Sequence, residues 1–380
     1  MIYLDNAATS FPKPESVYKA MDRFAREDLA NPGRAGHKMA LAAERALDDC
    51  RHRLNQLFKG SLPDRFIFTL NCTDALNMAF KGLLNDGDHV ITTNLEHNSV
   101  SRPLRTLELA GKISLTKILA DQHGFIDPQA IKNAIGPKTR LIALTHASNV
   151  LGTIQPIADV GSICREKDII FLVDGAQTAG VIPIDINANK IDLLACPGHK
   201  CLFGPTGTGF LYTGERVHLR TWRDGGTGGD SSTEIQPKEL PYNLEGGTPN
   251  VLGIAGLAAG IEWVNQQGIA NIHHRESKLV GKLRNSLKEI SGVTVFGSDD
   301  LTRTVATVSF KSETLAAPEI GSILDEAFNI AVRPGLHCSP YAHQSIGTFP
   351  DGAVRISPGA FNTEQDIDQI IDALKEILSL

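Results

Sequence analysis

The sequence has no excess of positive charge and no hydrophobic run long enough to span a bilayer. Its 43 acidic residues outnumber its 37 basic residues, which gives a formal net charge of −6. Such a chain offers no broad positive surface to phosphate backbones or anionic lipid, so neither nucleic acids nor membranes are expected as partners. The first nine residues also lack the basic and apolar regions of a signal peptide. We therefore expect a cytoplasmic protein.

The cysteines of the chain are not arranged in a recognisable motif. Its six cysteines lie at positions 50, 72, 164, 196, 201 and 338, and none forms a Cys-x-x-Cys pair. A chain of 380 residues can bury a sufficient core without disulfides, so free thiols are expected. Cys196, His199 and Cys201 could suggest a metal site, but tetrahedral zinc needs a fourth ligand. Side chains also alternate along a strand, which would point these three apart, so no metal site is expected.

Apolar strands alternate with helix-like segments through the first part of the chain. This order predicts an α/β fold with a mainly parallel sheet that is covered on both faces. Predicted helices lie at 16–29, 38–58, 75–84 and 156–166, and predicted strands at 66–70, 89–93, 141–145, 169–173, 191–196 and 210–212.

A second α/β unit follows a turn at 246–250 and a largely helical stretch at 251–290. We predict a large domain at 16–250 and a small domain formed by 1–15 plus 251–380. The cleft between two such domains is the expected pocket. The predicted strands of the second unit lie near 293–297, 304–310, 330–333 and 353–357, and its helices near 316–328 and 363–378.

Six polar residues follow directly on predicted strands of the first domain. In open α/β sheets, ligands bind beyond the carboxyl ends of the strands, so these side chains are expected to share a pocket. Asp174 is the most informative of them, because it follows the apolar run 169–173 and a buried carboxylate needs a partner. The six are His97, Asn149, Asp174, Gln177, His199 and Lys200.

Lys200 lies between the apolar run 191–196 and the glycine-rich segment 204–209. A short strand would therefore deliver it into a tight loop close to the sheet. An ammonium held against apolar walls loses solvation, its pKa falls, and the neutral amine can form a Schiff base with an aldehyde. A lysine exposed on a surface loop is the alternative.

An anion site is predicted where the strand 66–70 meets the next helix. The segment 71–74, Asn-Cys-Thr-Asp, is typical of a helix start, whose free N–H groups and the Thr73 hydroxyl would hold a phosphate. Two loops are also predicted. The first, at 31–36, ends at His37; the second, at 224–232, lacks the Gly-Lys-Ser/Thr ending of a nucleotide loop and is interpreted as mobile or interfacial.

The second domain contributes two arginines and a cysteine. Arg355 lies in an apolar strand, where a guanidinium usually binds a carboxylate, either of a substrate or of the protein itself. Cys338 lies in a loop bounded by glycine and proline, beside His337, so we expect an exposed thiol near a base, with Arg333 and Arg355 favouring the thiolate. An inert loop cysteine is the alternative.

Seven parts of the sequence together resemble the class V aminotransferase family, and within it the cysteine desulfurases and the similar selenocysteine lyases. The similarity runs over nearly the whole chain, and the set is far more specific than Gly-His-Lys alone. Its parts are Tyr3 to Thr9, Glu96-His97, Ser148 to Gly152, Val173 to Gln177, Gly198-His199-Lys200 with Gly204 to Gly207, Gly247 to Asn250, and Arg333 to Cys338.

The resemblance implies a fold-type I homodimer that depends on pyridoxal 5′-phosphate, with a seven-stranded sheet in the large domain and a smaller C-terminal α/β domain. The implied reaction moves sulfur from L-cysteine to an enzyme cysteine, as a persulfide, and releases L-alanine. A protein sulfur acceptor and a setting in iron–sulfur cluster assembly are implied as well.

The resemblance also assigns roles to single residues. Lys200 would be the Schiff-base lysine, Asp174 would partner the pyridine nitrogen, His97 would stack on the ring, and Cys338 would accept the sulfur. A buried carboxylate that keeps the pyridine nitrogen protonated agrees with the reading of Asp174 from its own surroundings. The other implied roles are ring-edge contacts from Gln177 and Asn149, phosphate binding by Cys72, Thr73, His199 and the other subunit's Thr248, and substrate binding by Arg355, Asn149, Arg333 and His37.

Two departures from the family pattern stand out. Pro197 occupies a position where relatives usually have a phosphate-binding serine, and proline supplies neither a hydroxyl nor an N–H group. The loop 333–340 differs from the commoner Arg-x-Gly-His-His-Cys. Three alternatives stay open: a selenocysteine lyase, another enzyme of this fold in which Cys338 is incidental, and a non-catalytic scaffold that binds a sulfur-transfer partner.

Overall fold

The computed structural model of the protein describes residues 1–33, 36–228, 232 and 234–378. The predicted loops 31–36 and 224–232 are therefore covered only in part, since residues 34–35 and 229–231 lie outside the described residues. Within them, the helices are α1 (Glu15–Glu27), α2 (Lys38–Phe58), α3 (Cys72–Leu83), α4 (Asn98–Leu109), α5 (Pro128–Asn133), α6 (Ile157–Glu166), α7 (Val251–Gln267), α8 (Ile269–Lys288), α9 (Ala317–Phe328), α10 (Pro340–Ser345) and α11 (Glu364–Leu378).

In the part of the chain that the structure describes, the strands form one large and two small sheets. None of the described helices is both long enough and apolar enough to cross a membrane. In chain order the strands are β1 (Ile2–Tyr3), β2 (Phe66–Thr69), β3 (Asp88–Thr93), β4 (Ile113–Ile118), β5 (Thr139–Thr145), β6 (Ile170–Asp174), β7 (Leu193–Pro197), β8 (Gly209–Thr213), β9 (Val293–Val295), β10 (Val308–Ser312), β11 (Ile330–Ala331), β12 (Arg333–Gly335) and β13 (Ala353–Ile356).

The large sheet has seven strands in the order β2-β8-β7-β6-β5-β3-β4. Strand β8 runs antiparallel to both of its neighbours, and every other pairing in the sheet is parallel. The five residues of β6 and the five of β7 are all buried, because apolar side chains cover both faces of the sheet. The predicted α/β fold with a mainly parallel, doubly covered sheet is confirmed.

The C-terminal part is built on an antiparallel sheet with the order β12-β13-β10-β9. Apolar residues of α8, α9 and α11 cover this sheet in a separate core cluster, which also contains Leu4. The start of the chain joins the same region, since β1 pairs in parallel with β11. Helix α7 instead contributes Leu257 and Ile261 to the core of the large sheet. The division of the domains at residue 250 stays a prediction.

Three elements between β3 and β5 were not predicted from the sequence. Helix α4 contains Pro103, which lacks an N–H group and usually interrupts a helix. Strand β4 lies at the edge of the large sheet and mixes buried with partly exposed residues, so it lacks the apolar run of its neighbours. Helix α5 has only six residues, too few to show a helical period.

Candidate active site

A cavity of about 220 Å³ opens beyond the carboxyl ends of the parallel strands. Residues of the large sheet and of the C-terminal part of the chain both contribute to its wall. The predicted site residues that line it are Cys72, Thr73, His97, Asn149, Asp174, Gln177, His199, Lys200, Arg333, Cys338 and Arg355, joined by His337 and by Pro197.

Lys200 and Asp174 are brought to the cavity by neighbouring parallel strands. Asp174 ends β6, and Lys200 is the third residue after the end of β7. Burial lowers the pKa of the Lys200 ammonium, and the Asp174 carboxylate acts in the opposite direction. No hydrogen bond or ion pair joins the Lys200 Nζ atom to any described residue, although the atom reaches the cavity. The amine is therefore free to react with a ligand.

Asp174 is almost fully buried, at 2% exposure. Its Oδ1 atom accepts a hydrogen bond from the N–H group of Ala176 at 2.9 Å and one from the thiol of Cys72 at 3.6 Å. Burial raises the pKa of Asp174, whereas these donors and Lys200 lower it. The Oδ2 atom accepts no hydrogen bond within the described part of the chain, so it can serve a ligand in the cavity.

The start of α3 supplies unpaired N–H groups to the same cavity. Asn71 caps the helix by accepting a hydrogen bond from the N–H group of Asp74 at 2.9 Å. Within the described residues, the N–H groups of Cys72 and Thr73 have no acceptor, as is usual in a first helical turn. The side chain of Cys72 faces Asp174, so any contact of Cys72 with an anion falls to its backbone.

Two histidines and a glutamine complete the wall near the sheet. His97 caps α4 through its Nδ1 atom, which accepts from the N–H group of Ser99 at 3.1 Å. Burial and the nearby Lys200 charge lower the pKa of His97 to about 4, and they lower the pKa of His199 likewise to about 4. Gln177 donates to the carbonyl oxygen of Ala7 at 3.1 Å, which ties the N-terminal segment to the cavity.

Arg355 is held by a carboxylate that the sequence had not singled out. Its Nη2 atom donates to Oδ1 of Asp5 at 2.6 Å, and its Nη1 atom donates to the carbonyl oxygen of Asn149 at 3.1 Å. Arg333 lies farther out, with Nη1 at 3.7 Å from Oδ2 of Asp5. Sequence reasoning missed Asp5 as the partner of Arg355. The one signal for it was that Asp5 is a carboxylate within the motif Tyr3 to Thr9.

The loop that carries Cys338 is fastened on both sides of the thiol. Asn149 donates its Nδ2 atom to the carbonyl oxygen of His337 at 2.7 Å and accepts from the hydroxyl of Ser339 at 2.7 Å. The carbonyl oxygen of Cys338 itself accepts from the N–H group of Asn98 at 2.7 Å. Among the six cysteines, Cys338 alone is exposed. The thiol is thus presented at the cavity by a fixed backbone.

The contacts of His337 do not support its expected role as a base for Cys338. Its Nε2 atom lies 2.9 Å from the carbonyl oxygen of Arg333, and its Nδ1 atom lies 3.0 Å from Nε2 of His343. Both ring nitrogens are therefore occupied by other groups. The ring is also buried, which lowers its pKa to about 3 and makes it a weak base.

Two predicted site residues lie outside the cavity of this chain. His37 caps α2, where its Nδ1 atom accepts from the N–H group of Ala40 at 3.2 Å. Thr248 is exposed and lines a separate groove. Their roles stay predictions. In the described part of the chain, His, Cys, Asp and Glu side chains nowhere form a group of three or more that could hold a metal ion.

The chain is similar over its whole length to proteins of one family. Residues 2–370 match the family model of the class V aminotransferases. A probable cysteine desulfurase of Methanothermobacter thermautotrophicus is 34% identical, over 100% of this chain and 95% of that protein. A cysteine desulfurase of Cronobacter sakazakii is 31% identical, over 99% of this chain and 93% of that protein. The apo structure of a cysteine desulfurase from Thermococcus onnurineus NA1 superposes with a TM-score of 0.93 at 31% identity, covering 100% of this chain and 94% of that one.

Proposed function

Because this chain belongs to the class V aminotransferase family, we propose that it is a cysteine desulfurase that depends on pyridoxal 5′-phosphate. It takes L-cysteine as substrate, transfers the sulfur to Cys338 and releases L-alanine. The observation that carries this proposal is that three groups line one cavity: an amine with no partner among the described residues, a buried carboxylate and an exposed thiol. These groups belong to Lys200, Asp174 and Cys338.

The donor groups of the cavity fit pyridoxal 5′-phosphate. The Nζ atom of Lys200 has no partner among the described residues, and the Oδ2 atom of Asp174 is equally free. The N–H groups of Cys72 and Thr73 at the start of α3 offer an anion site for the phosphate. When bound, this cofactor supplies an aldehyde for amines and a protonated ring that draws electrons from the substrate.

Lys200 and Asp174 would bind two different parts of the cofactor, its aldehyde carbon and its ring nitrogen. The lowered pKa of Lys200 allows the amine to lose its proton and to bond an aldehyde carbon. Asp174, although its pKa is raised by burial, receives hydrogen bonds and the Lys200 charge that favour the carboxylate. A carboxylate there would hold a proton on the ring nitrogen of the cofactor. His97 and Gln177 would fix the position of the ring.

The substrate carboxylate would bind near Arg355 and Arg333, which bring two positive charges to the cavity wall. Cys338 then attacks the sulfur atom of the bound cysteine. One S–S bond forms and one C–S bond breaks. The electron pair of the C–S bond stays with the substrate carbon, which takes up a proton to become the methyl group of alanine. The enzyme keeps the sulfur as a persulfide, so no outside oxidant or reductant is needed.

We further propose a homodimer in which Thr248 contributes to the phosphate site of the other subunit. Its support is the position of Thr248, which is exposed, follows a bend at Gly247 and lies outside the cavity of its own chain.

The test of the function is incubation of the cofactor-loaded protein with L-cysteine, with alanine and enzyme-bound sulfur measured together. Equal amounts of both in a single turnover are expected. Lys200→Ala should form neither product and should leave no adduct with the cofactor after borohydride reduction. Ammonia and pyruvate in place of alanine would contradict the proposal and indicate a lyase of the same fold.

A further inference from the structure

The backbone around the Cys338 thiol is held in an unfavourable conformation. His337 has φ = 51° and Cys338 has φ = 57°, so two successive residues that are not glycine lie in the left-handed region. Side chains with a Cβ atom adopt this region at a cost in free energy, and a pair of them persists only when the surrounding contacts hold it. The loop therefore needs a support that specifies the orientation of His337.

A chain of hydrogen bonds behind the loop provides this support. Nε2 of His337 lies 2.9 Å from the carbonyl oxygen of Arg333, and Nδ1 of His337 lies 3.0 Å from Nε2 of His343. At the far end, Nδ1 of His343 lies 2.7 Å from the hydroxyl oxygen of Thr348. His343 is fully buried and Thr348 nearly so, at 0% and 2% exposure. Four residues between positions 333 and 348 are thus linked in series.

The carbonyl oxygen of Arg333, at one end, fixes the direction of every hydrogen bond in the chain. A carbonyl oxygen only accepts, so Nε2 of His337 carries the proton. In the neutral ring Nδ1 is then an acceptor, and Nε2 of His343 must donate to it. Nδ1 of His343 is in turn an acceptor, and the Thr348 hydroxyl donates to it. Burial disfavours a second proton on the His337 ring, and the positive charges of Arg355 and Arg333 act in the same direction.

We propose that His343 and Thr348 are positioning residues for Cys338: the Thr348 hydroxyl donates to Nδ1 of His343 and keeps the Nε2–H group of this ring directed at His337, which orients His337 and so holds the thiol toward the cavity. Neither residue lines the cavity, so both act through His337. The step that they serve, attack of Cys338 on the substrate sulfur, rests on the desulfurase function proposed above. The hold on the loop does not depend on that function.

Thr348→Val tests this proposal, because it removes one hydroxyl and keeps the shape of the side chain. With cofactor and L-cysteine, kcat for alanine should fall about tenfold or more, since a small misplacement of an attacking group has a large effect on rate. KM for L-cysteine should stay within about twofold, since the substrate-binding groups are untouched. Thr348→Ser restores the hydroxyl and should restore kcat.

Hydrogen exchange and histidine tautomers provide readouts that need no turnover. The peptide covering 336–345 should exchange its amide hydrogens faster in Thr348→Val and at the wild-type rate in Thr348→Ser. The matched control is Thr213→Val, which removes a buried hydroxyl that has no hydrogen-bond partner among the described residues. It should leave kcat and the exchange of this peptide unchanged.

Nitrogen NMR of the wild-type protein, labelled at histidine, should show His337 and His343 both as neutral Nε2–H tautomers. A proton on Nδ1 of His343 would overturn the proposal, and so would wild-type kcat together with wild-type exchange in Thr348→Val. If Thr348→Val does not fold, the tautomers decide. If the wild-type enzyme forms no alanine, the proposed function fails, while exchange and tautomers still decide whether the loop is positioned in this way.

Discussion

The guanidinium of Arg355 donates its Nη2 atom to Oδ1 of Asp5 at 2.6 Å, which joins residues 350 positions apart in the chain. The pair links the N-terminal segment to strand β13 at the wall of the cavity. The sequence left two partners open for Arg355, a substrate carboxylate or a carboxylate of the protein. The second is present, and the position of Arg355 at the cavity is compatible with the first as well.

Loss of this pair is expected to destabilise the fold. Asp5→Asn leaves the buried Arg355 guanidinium, whose side chain is 3% exposed, without its charged partner. Breaking a buried pair in this way should lower the free energy of unfolding by about 3 kcal/mol, measured by urea denaturation. Asp22→Asn is the control, since its pair with Arg26 is exposed and should contribute less than about 1 kcal/mol. Equal small losses in both variants would show that Arg355 does not depend on Asp5.

The pH dependence of stability should reveal the buried Glu276 on α8. Its side chain is 3% exposed, and burial raises its pKa to about 8 although the Arg275 charge opposes this shift. The unfolded chain loses this proton near pH 4.5, whereas the folded protein keeps it up to about pH 8. Folding stability from this group is therefore lost as pH rises between these values, by ~1.4 kcal/mol per pH unit.

Glu276→Gln removes that titration, so the variant should gain stability relative to the wild type between pH 5 and pH 8. Urea denaturation at both pH values measures the difference. Glu27→Gln, at an exposed position on α1, should shift stability equally at the two values. A Glu276→Gln difference that does not change with pH would contradict the buried, protonated carboxyl.

A mixed dimer should show whether Thr248 serves its own subunit or the other. In this dimer one subunit carries Lys200→Ala and the other carries Thr248→Val. If Thr248 acts across the dimer, one site holds both native residues and binds pyridoxal 5′-phosphate with wild-type affinity. If Thr248 acts within its own chain, no site holds both. Cofactor titration of the mixed dimer distinguishes these results, and weakened binding at every site would contradict the proposal.

Much of the large sheet could be predicted because most of its strands are rich in apolar residues. The runs before Asp174 and before Lys200 indicated buried parallel strands, and the rule that ligands bind at strand ends then placed both residues in one pocket. Strand β4 lacked this signal, because an edge strand is only partly buried. The predicted fold and most of the predicted cavity residues therefore followed from local patterns.

The features that were missed depend on contacts between distant or short segments. Asp5 meets Arg355 only in the folded chain, and no local pattern reports such a pair. His343 lies on α10, whose six residues are too few for a helical period, and its partners are set by the tertiary fold. His337 was expected to serve Cys338 because it is next in sequence, but the left-handed backbone turns its ring toward His343.

The most direct test of the desulfurase proposal is a single turnover of Cys338→Ser with L-cysteine, in which alanine and enzyme-bound sulfur are measured together. Cys50→Ala, which removes a fully buried thiol of α2, is the control and should turn over as the wild type. The proposal predicts that Cys338→Ser binds pyridoxal 5′-phosphate normally but forms neither alanine nor persulfide, because no nucleophile can take the substrate sulfur. Alanine at the wild-type rate from Cys338→Ser would contradict it and would make Cys338 a bystander in this cavity.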